Sequence, residues 1–146
     1  MSHTVHPYSH RLGIIRDWKS RWFSQDKGYR TALKTDILIR EFLMEELRNF
    51  FLGGITIERT RKAIRVIIAT SRPGMIIGKS GDGVVQLRAK IMKLLAKEKI
   101  DLGGQELKID IEEVRNPEAN AAIAGMMIAE QLEKRLPFRR VMKQMV

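Results

Sequence analysis

Gly78-Lys79-Ser80-Gly81 is the stretch of this sequence best suited to hold a ligand. An alternating apolar run, Ile64-Arg65-Val66-Ile67-Ile68-Ala69, precedes it, and a long helical pattern follows it. The glycines are thus expected at a helix N-terminus, where the first backbone N–H groups have no intrahelical partner. Those donors and the helix dipole favour an anion, typically phosphate. With no β-carbon at Gly78 or Gly81, a sugar-phosphate backbone can come close, and Lys79 adds a mobile positive charge at the tip. This is chemistry of binding rather than of bond breaking. Ser80 has no local histidine partner. Glu112 and Glu113 are adjacent, so on a strand they face opposite sides and make no acid–base pair.

Two phosphate-binding patterns compete for this loop. A P-loop needs one more residue between its first glycine and the Gly-Lys pair than Gly74-Met75-Ile76-Ile77-Gly78-Lys79 provides, and Pro73 stands just ahead of it. The other is the Gly-x-x-Gly loop with which a KH module clamps single-stranded nucleic acid. Here Ile76-Ile77 before the loop and Val84-Val85 after it supply the flanking apolar turns. The four letters alone also arise in ordinary tight turns, so the context carries the second reading.

The charge balance points the same way. In 146 residues, 27 Lys and Arg face 17 Asp and Glu, a formal net charge of +10. The sequence pI of about 10.2 lies in the range that marks nucleic-acid partners. The charges are spread along the chain rather than gathered in the polybasic cluster or amphipathic helix of a membrane-surface protein, so no membrane partner is expected. There is no cysteine, which excludes disulfides, thiolate zinc sites and cysteine nucleophiles. The longest apolar stretch, Ala121 to Ala129, is too short to span a bilayer, and the N-terminus has no apolar core like that of a signal peptide. His3, His6 and His10 have a spacing that a helix would bring to one face. Pro7 and the terminal position argue against a helix there, so no metal is expected, and no cofactor.

The elements that must position the loop can be read in order. Residues 1 to 34 form a basic arm, in which Arg11, Arg16, Lys19, Arg21, Lys27, Arg30 and Lys34 outnumber Asp17 and Asp26. Trp18, Trp22, Phe23 and Tyr29 are interleaved with them, a pattern that suits RNA or anchors the arm to a core. Thr35 or Asp36 can cap a helix running to about Phe51, striped by Leu38, Ile39, Phe42, Leu43 and Leu47 and stopped by Gly53-Gly54. Ile55 to Thr60 and Ala63 to Thr70 read as a hairpin. Its tip gathers Arg59, Arg61, Lys62 and Arg65 as candidate RNA contacts. Beyond the glycine loop, Val84, Leu87, Ile91, Leu94 and Leu95 mark the buried face of a helix ending near Glu98. Leu107 to Glu112 alternates as a third strand with one wet face. The helical connection makes the second and third strands parallel, crossing right-handed. The fold class is α+β, a three-stranded mixed sheet with helices on one face.

After Asn116-Pro117, Glu118 to Arg135 reads as a helix apolar around much of its circumference, which requires burial on more than one side. Leu136-Pro137 ends it. Phe138 to Val146 starts another amphipathic element that stops with the chain, as if a second domain continued from residue 116.

These residues together resemble one family. Arg72-Pro73-Gly74-x-Ile76-Ile77-Gly78-Lys79-x-Gly81 is similar to the type II KH domain of the third small-subunit ribosomal protein in its bacterial form. Val5-His6-Pro7, Arg11-Leu12-Gly13, Trp18 and Trp22-Phe23 resemble that family's N-terminal arm. Ile57-Glu58-Arg59 and Ile64-Arg65-Val66 resemble its hairpin, and Glu113-Val114-Arg115-x-Pro117-Glu118 its domain junction. Gln131-Leu132-Glu133-x-Arg135 and Phe138-Arg139-Arg140-x-Met142-Lys143 resemble the opening of its C-terminal domain.

The resemblance implies an arm over residues 1–34, a type II KH domain over 35–115 and the start of a C-terminal domain over 116–146. It further implies a structural, non-enzymatic role in the head of the small ribosomal subunit, in the cytoplasm. The partners it implies are small-subunit ribosomal RNA, small-subunit proteins ten and fourteen, and messenger RNA at its entry channel. Arg139, Arg140 and Lys143 match the basic residues that the family uses on messenger RNA. His6, Arg11, Lys19 and Arg21 of the arm join the hairpin cations and Gly78 to Gly81 as expected RNA contacts. A stand-alone KH factor in RNA processing or ribosome assembly is the alternative expectation.

Overall fold

The computed structural model describes residues 4–100 and 102–145, with Asp26 and Lys27 described for their backbone only. His3, Val146 and the side chains of Asp26 and Lys27, all used above, therefore lie outside the described residues. The sheet has four strands in the order β1-β2-β3-β4. These are β1 (Ser20–Arg21), β2 (Leu52–Arg59), β3 (Ala63–Thr70) and β4 (Glu106–Glu113). β2 and β3 form the expected antiparallel hairpin, and β4 runs parallel to β3 from Ala63↔Glu106 to Thr70↔Glu113. To this three-stranded body the arm adds β1, a two-residue parallel strand at the β2 edge. It is too short to show a period in the sequence.

The helices are α1 (Asp26–Glu46), α2 (Pro73–Ile77), α3 (Asp82–Lys97), α4 (Ala121–Glu133) and α5 (Phe138–Met145). Among the described residues none is long and apolar enough to cross a membrane. Alternate residues of β3, Ile64, Val66 and Ile68, are buried with Ile39 and Leu43 of α1 and with Leu87, Ile91 and Leu95 of α3. This core follows from period-2 strands meeting helices of period 3.6; Ile123 of α4 and Val141 of α5 are buried apart from it. The other face of the sheet carries Glu58, Arg65, Lys108 and Asp110 together with the half-buried Ile67.

Two expectations for the first helix are corrected. It starts at Asp26, inside the stretch read as arm, so Thr35 and Asp36 do not cap it. Both are instead buried in its middle, where Thr35 donates to the Thr31 carbonyl and Asp36 takes partners from outside the helix. Nor do Gly53 and Gly54 stop it. The helix ends at Glu46, a short 3-10 turn follows, and Phe51 takes a left-handed conformation. The glycines lie within β2, at a bulge. A β-carbon on Gly53 would come within 3.0 to 3.3 Å of Asn120, Val114 and Ile123, so the bare glycine lets the start of α4 press on the sheet.

Candidate nucleic-acid interface

The glycine loop sits where the pattern places it, between α2 and α3. Gly78 (φ +71°) and Gly81 (φ +88°) occupy positive-φ backbone that disfavours side chains, and between them Ser80 has φ +56°. Lys79 and Ser80 stand exposed at the tip. Ile76 is buried and holds α2 to the core, while Met75, Ile77 and the 67% exposed Val85 leave apolar surface beside the loop. Asp82 lies in the first turn of α3, a position where a carboxylate already satisfies the helix dipole. A phosphate here must therefore rely on the loop amides and Lys79 more than on the dipole.

Gly83 is a residue of this site that sequence reasoning missed. Its β-carbon would fall 2.2 Å from the Ile76 carbonyl oxygen and 2.9 Å from that of Ile77, so α2 and α3 can close on each other only with glycine there. The signal available was a third glycine two positions after Gly81.

The hairpin cations divide into two pairs. Arg61 and Lys62 are exposed at the tip. Arg59 turns inward, its side chain only 10% exposed, and meets the 4% exposed Asp36 at 2.6 Å. Its Nη2 also donates to the Ala32 carbonyl at 3.2 Å. Trp22 Nε1 donates to the second oxygen of Asp36 at 2.6 Å. Arg65 lies on the polar face of the sheet rather than at the tip, bonded to Asp110 and 3.7 Å from Glu58. The Asp110 bond raises the pKa of the guanidinium. The glycine loop is not near this tip. It follows the C-terminal end of β3 and the tip precedes its N-terminal end, so the eight residues of β3 separate them, on the order of 25 Å at ~3.3 Å per residue.

The arm is tied down by its own polar groups. Arg40 donates to the Ile55 carbonyl at 2.6 Å, the Ser20 hydroxyl at 3.0 Å and the Lys19 carbonyl at 3.3 Å, clasping β1 to β2. Partial burial lowers its pKa against the pull of Asp36. Arg21 pairs with Asp17 and with Glu58, Arg11 donates to the Pro7 carbonyl, and Lys19 lies over the Tyr8 ring. His6 accepts from the Tyr8 amide through Nδ1. Trp22 is the aromatic anchor, whereas Trp18 is 59% exposed. In α5, Val141 is fully buried while Arg139, Arg140 and Lys143 point to solvent. Arg139 lies 5.9 Å from the centroid of the Phe138 ring.

A family model described as a KH domain matches residues 38–119. The chain is 44% identical over 144 residues to the small ribosomal subunit protein uS3 of Caldicellulosiruptor bescii, covering 99% of this chain and 62% of that protein. Identity to the uS3 of Photobacterium profundum is 43% over 146 residues, covering 100% and 60%. For the uS3 of Bordetella pertussis it is 39% over 142 residues, covering 97% and 51%. The chain thus spans between 51% and 62% of the length of these relatives. The KH match takes in β2 to β4, the glycine loop and the helices beside it, and the similarity to uS3 proteins continues through the arm and α5; the chain belongs to the KH-domain family.

Proposed function

We propose that this chain is a structural, non-enzymatic constituent of the small ribosomal subunit, held there by ribosomal RNA. The observation that carries the reading is the 39–44% identity to proteins named uS3, which runs through the arm, the KH body and the last helices alike. The finer reading places it in the subunit head in the bacterial cytoplasm, beside small-subunit proteins ten and fourteen. Residues 1–34 serve as an arm whose last turns are the start of α1, 35–115 as the KH domain and 116–146 as the opening of a further domain.

The mechanism is phosphate neutralisation. Lys79 and the amides of Gly78 to Gly81 take the backbone of one RNA segment. Arg61 and Lys62, with Lys19 and Arg11 of the arm, take another. Arg139, Arg140 and Lys143 face messenger RNA at its entry channel. Contacts of this kind fix position and carry no base sequence. Arg59 and Arg21 support the surface from within their ion pairs, and His6 shapes the arm through Tyr8.

The test is a titration of the full chain with small-subunit ribosomal RNA and with single-stranded RNA across salt concentrations. Log K is expected to fall linearly with log salt, with a slope of about −0.7 per phosphate neutralised on single strands. A flat response contradicts the mechanism.

A further inference from the structure

Beside the hairpin tip lies a groove of about 710 Å³, the size of a small-ligand site. The arm, the early turns of α1, the tip and the loop before β4 enclose it. Resting on the RNA-binding reading above, we propose that this groove receives a single unstacked base of the bound RNA, stacked on Phe23, with the adjoining phosphates on Arg61 and Lys62.

The floor of the groove is rigid. Arg59 and Trp22 both line it, and both are fixed to the buried Asp36. Thr31 and Thr35 line the helix side, locked to each other by the Thr35 hydroxyl on the Thr31 carbonyl at 2.7 Å. Gln105 closes the far side through one bond from its Nε2 to the Thr60 carbonyl, 2.9 Å long, which leaves its Oε1 as an acceptor.

On the rim, Phe23 is 86% exposed while the Trp22 beside it is held in the fold. A large ring kept in water next to a preformed groove has no stabilising role in the chain itself, but it offers a stacking platform that any base can use. Arg61 and Lys62 have no ion pair among the described residues, unlike Arg59 and Arg65. A platform, an edge acceptor and free cations in one place are the parts that hold a splayed-out base. Arg61 on the lining, with Lys62 next to it in the chain, supplies the positive charge that the phosphates flanking a base would meet.

The experiment compares two RNA duplexes with the full chain: one carries a single bulged nucleotide, the other an abasic residue at the same bulge. The bulge fixes the register. The base is expected to improve affinity roughly 5- to 100-fold, the range of one base–aromatic stack. Phe23→Ala should remove that preference and leave the salt slope unchanged, and Phe23→Trp should restore it. Equal affinity of the wild-type chain for the two duplexes overturns the proposal, as does a preference that survives Phe23→Ala. Salt-dependent binding without base preference would leave the phosphate mechanism standing and remove only the base site. Absence of salt-dependent binding would remove both.

Discussion

The α-carbon of Gly83 lies against the carbonyl oxygen of Ile76, so close that a β-carbon at 83 would sit 2.2 Å from that oxygen. The glycine loop depends on this approach, because it sets the angle at which α2 meets α3. Gly83→Ala brings two opposed effects. Helix propensity favours alanine by about 1 kcal/mol, whereas overpacking costs about 1–3 kcal/mol. The obstructing atom is backbone, which has little freedom to yield, so the second effect wins. A net loss of up to about 2 kcal/mol is expected in a urea melt, with weakened RNA binding. A variant as stable as the wild type would show that α2 and α3 do not need this close approach.

Asp36 with Arg59 and Trp22 is a buried polar network that joins α1, β2 and the arm. Removing one member leaves a charge without its partner, so Asp36→Ala should cost about 3–5 kcal/mol. Trp22→Phe removes the hydrogen bond to a charged group, about 1.5–3 kcal/mol, and part of the indole that meets Tyr29 and Arg59, so its cost should lie at or above that range. Combining Asp36→Leu with Arg59→Met removes both charges, and its cost should be well below the sum of the singles. Additive costs in the denaturant midpoints would mean that the pair is not coupled.

At the glycine loop, Lys79→Asp with Ser80→Asp should weaken RNA binding while leaving the melting temperature near that of the wild type, since both side chains are exposed. The salt slope should become shallower by about 0.7 for each single-strand phosphate that the variant no longer neutralises. Unchanged affinity would move the RNA-binding surface to the arm and the hairpin tip.

The hairpin cations make a sharper comparison. Arg61→Gln with Lys62→Gln removes two exposed charges that have no ion pair among the described residues, and should lower both RNA affinity and the salt slope. Arg65→Gln removes a charge already matched by Asp110 and Glu58, so its effect on affinity should be small. An Arg65 variant that loses as much as the pair at 61 and 62 would place RNA on the outer face of the sheet.

Local pattern explains why some of this was legible in the sequence. The β3 alternation from Ile64 to Ile68, the α3 face of Leu87, Ile91 and Leu95, and the glycine loop each depend on neighbours in the chain. What was not legible depends on distant residues. Asp36 looks like a helix cap because its partners, Trp22 and Arg59, lie 14 and 23 positions away. Gly53 looks like a helix stop because the groups it admits, Asn120 and Ile123, belong to another element. Arg59 and Arg65 read as free cations because sequence displays a charge without displaying its counter-charge. For the same reason four basic residues close in sequence divided into two held in ion pairs, Arg59 and Arg65, and two with none among the described residues.

Membership of the small ribosomal subunit is tested most directly by sedimentation of the tagged full chain in a cell extract. The comparison is between intact ribosomes and ribosomes separated into subunits at low magnesium. The chain is expected to stay with the small subunit in both cases, at close to one copy per particle. Migration as free protein, or in a lighter RNA complex that ignores the subunit boundary, would contradict it and point to a KH factor acting outside the ribosome.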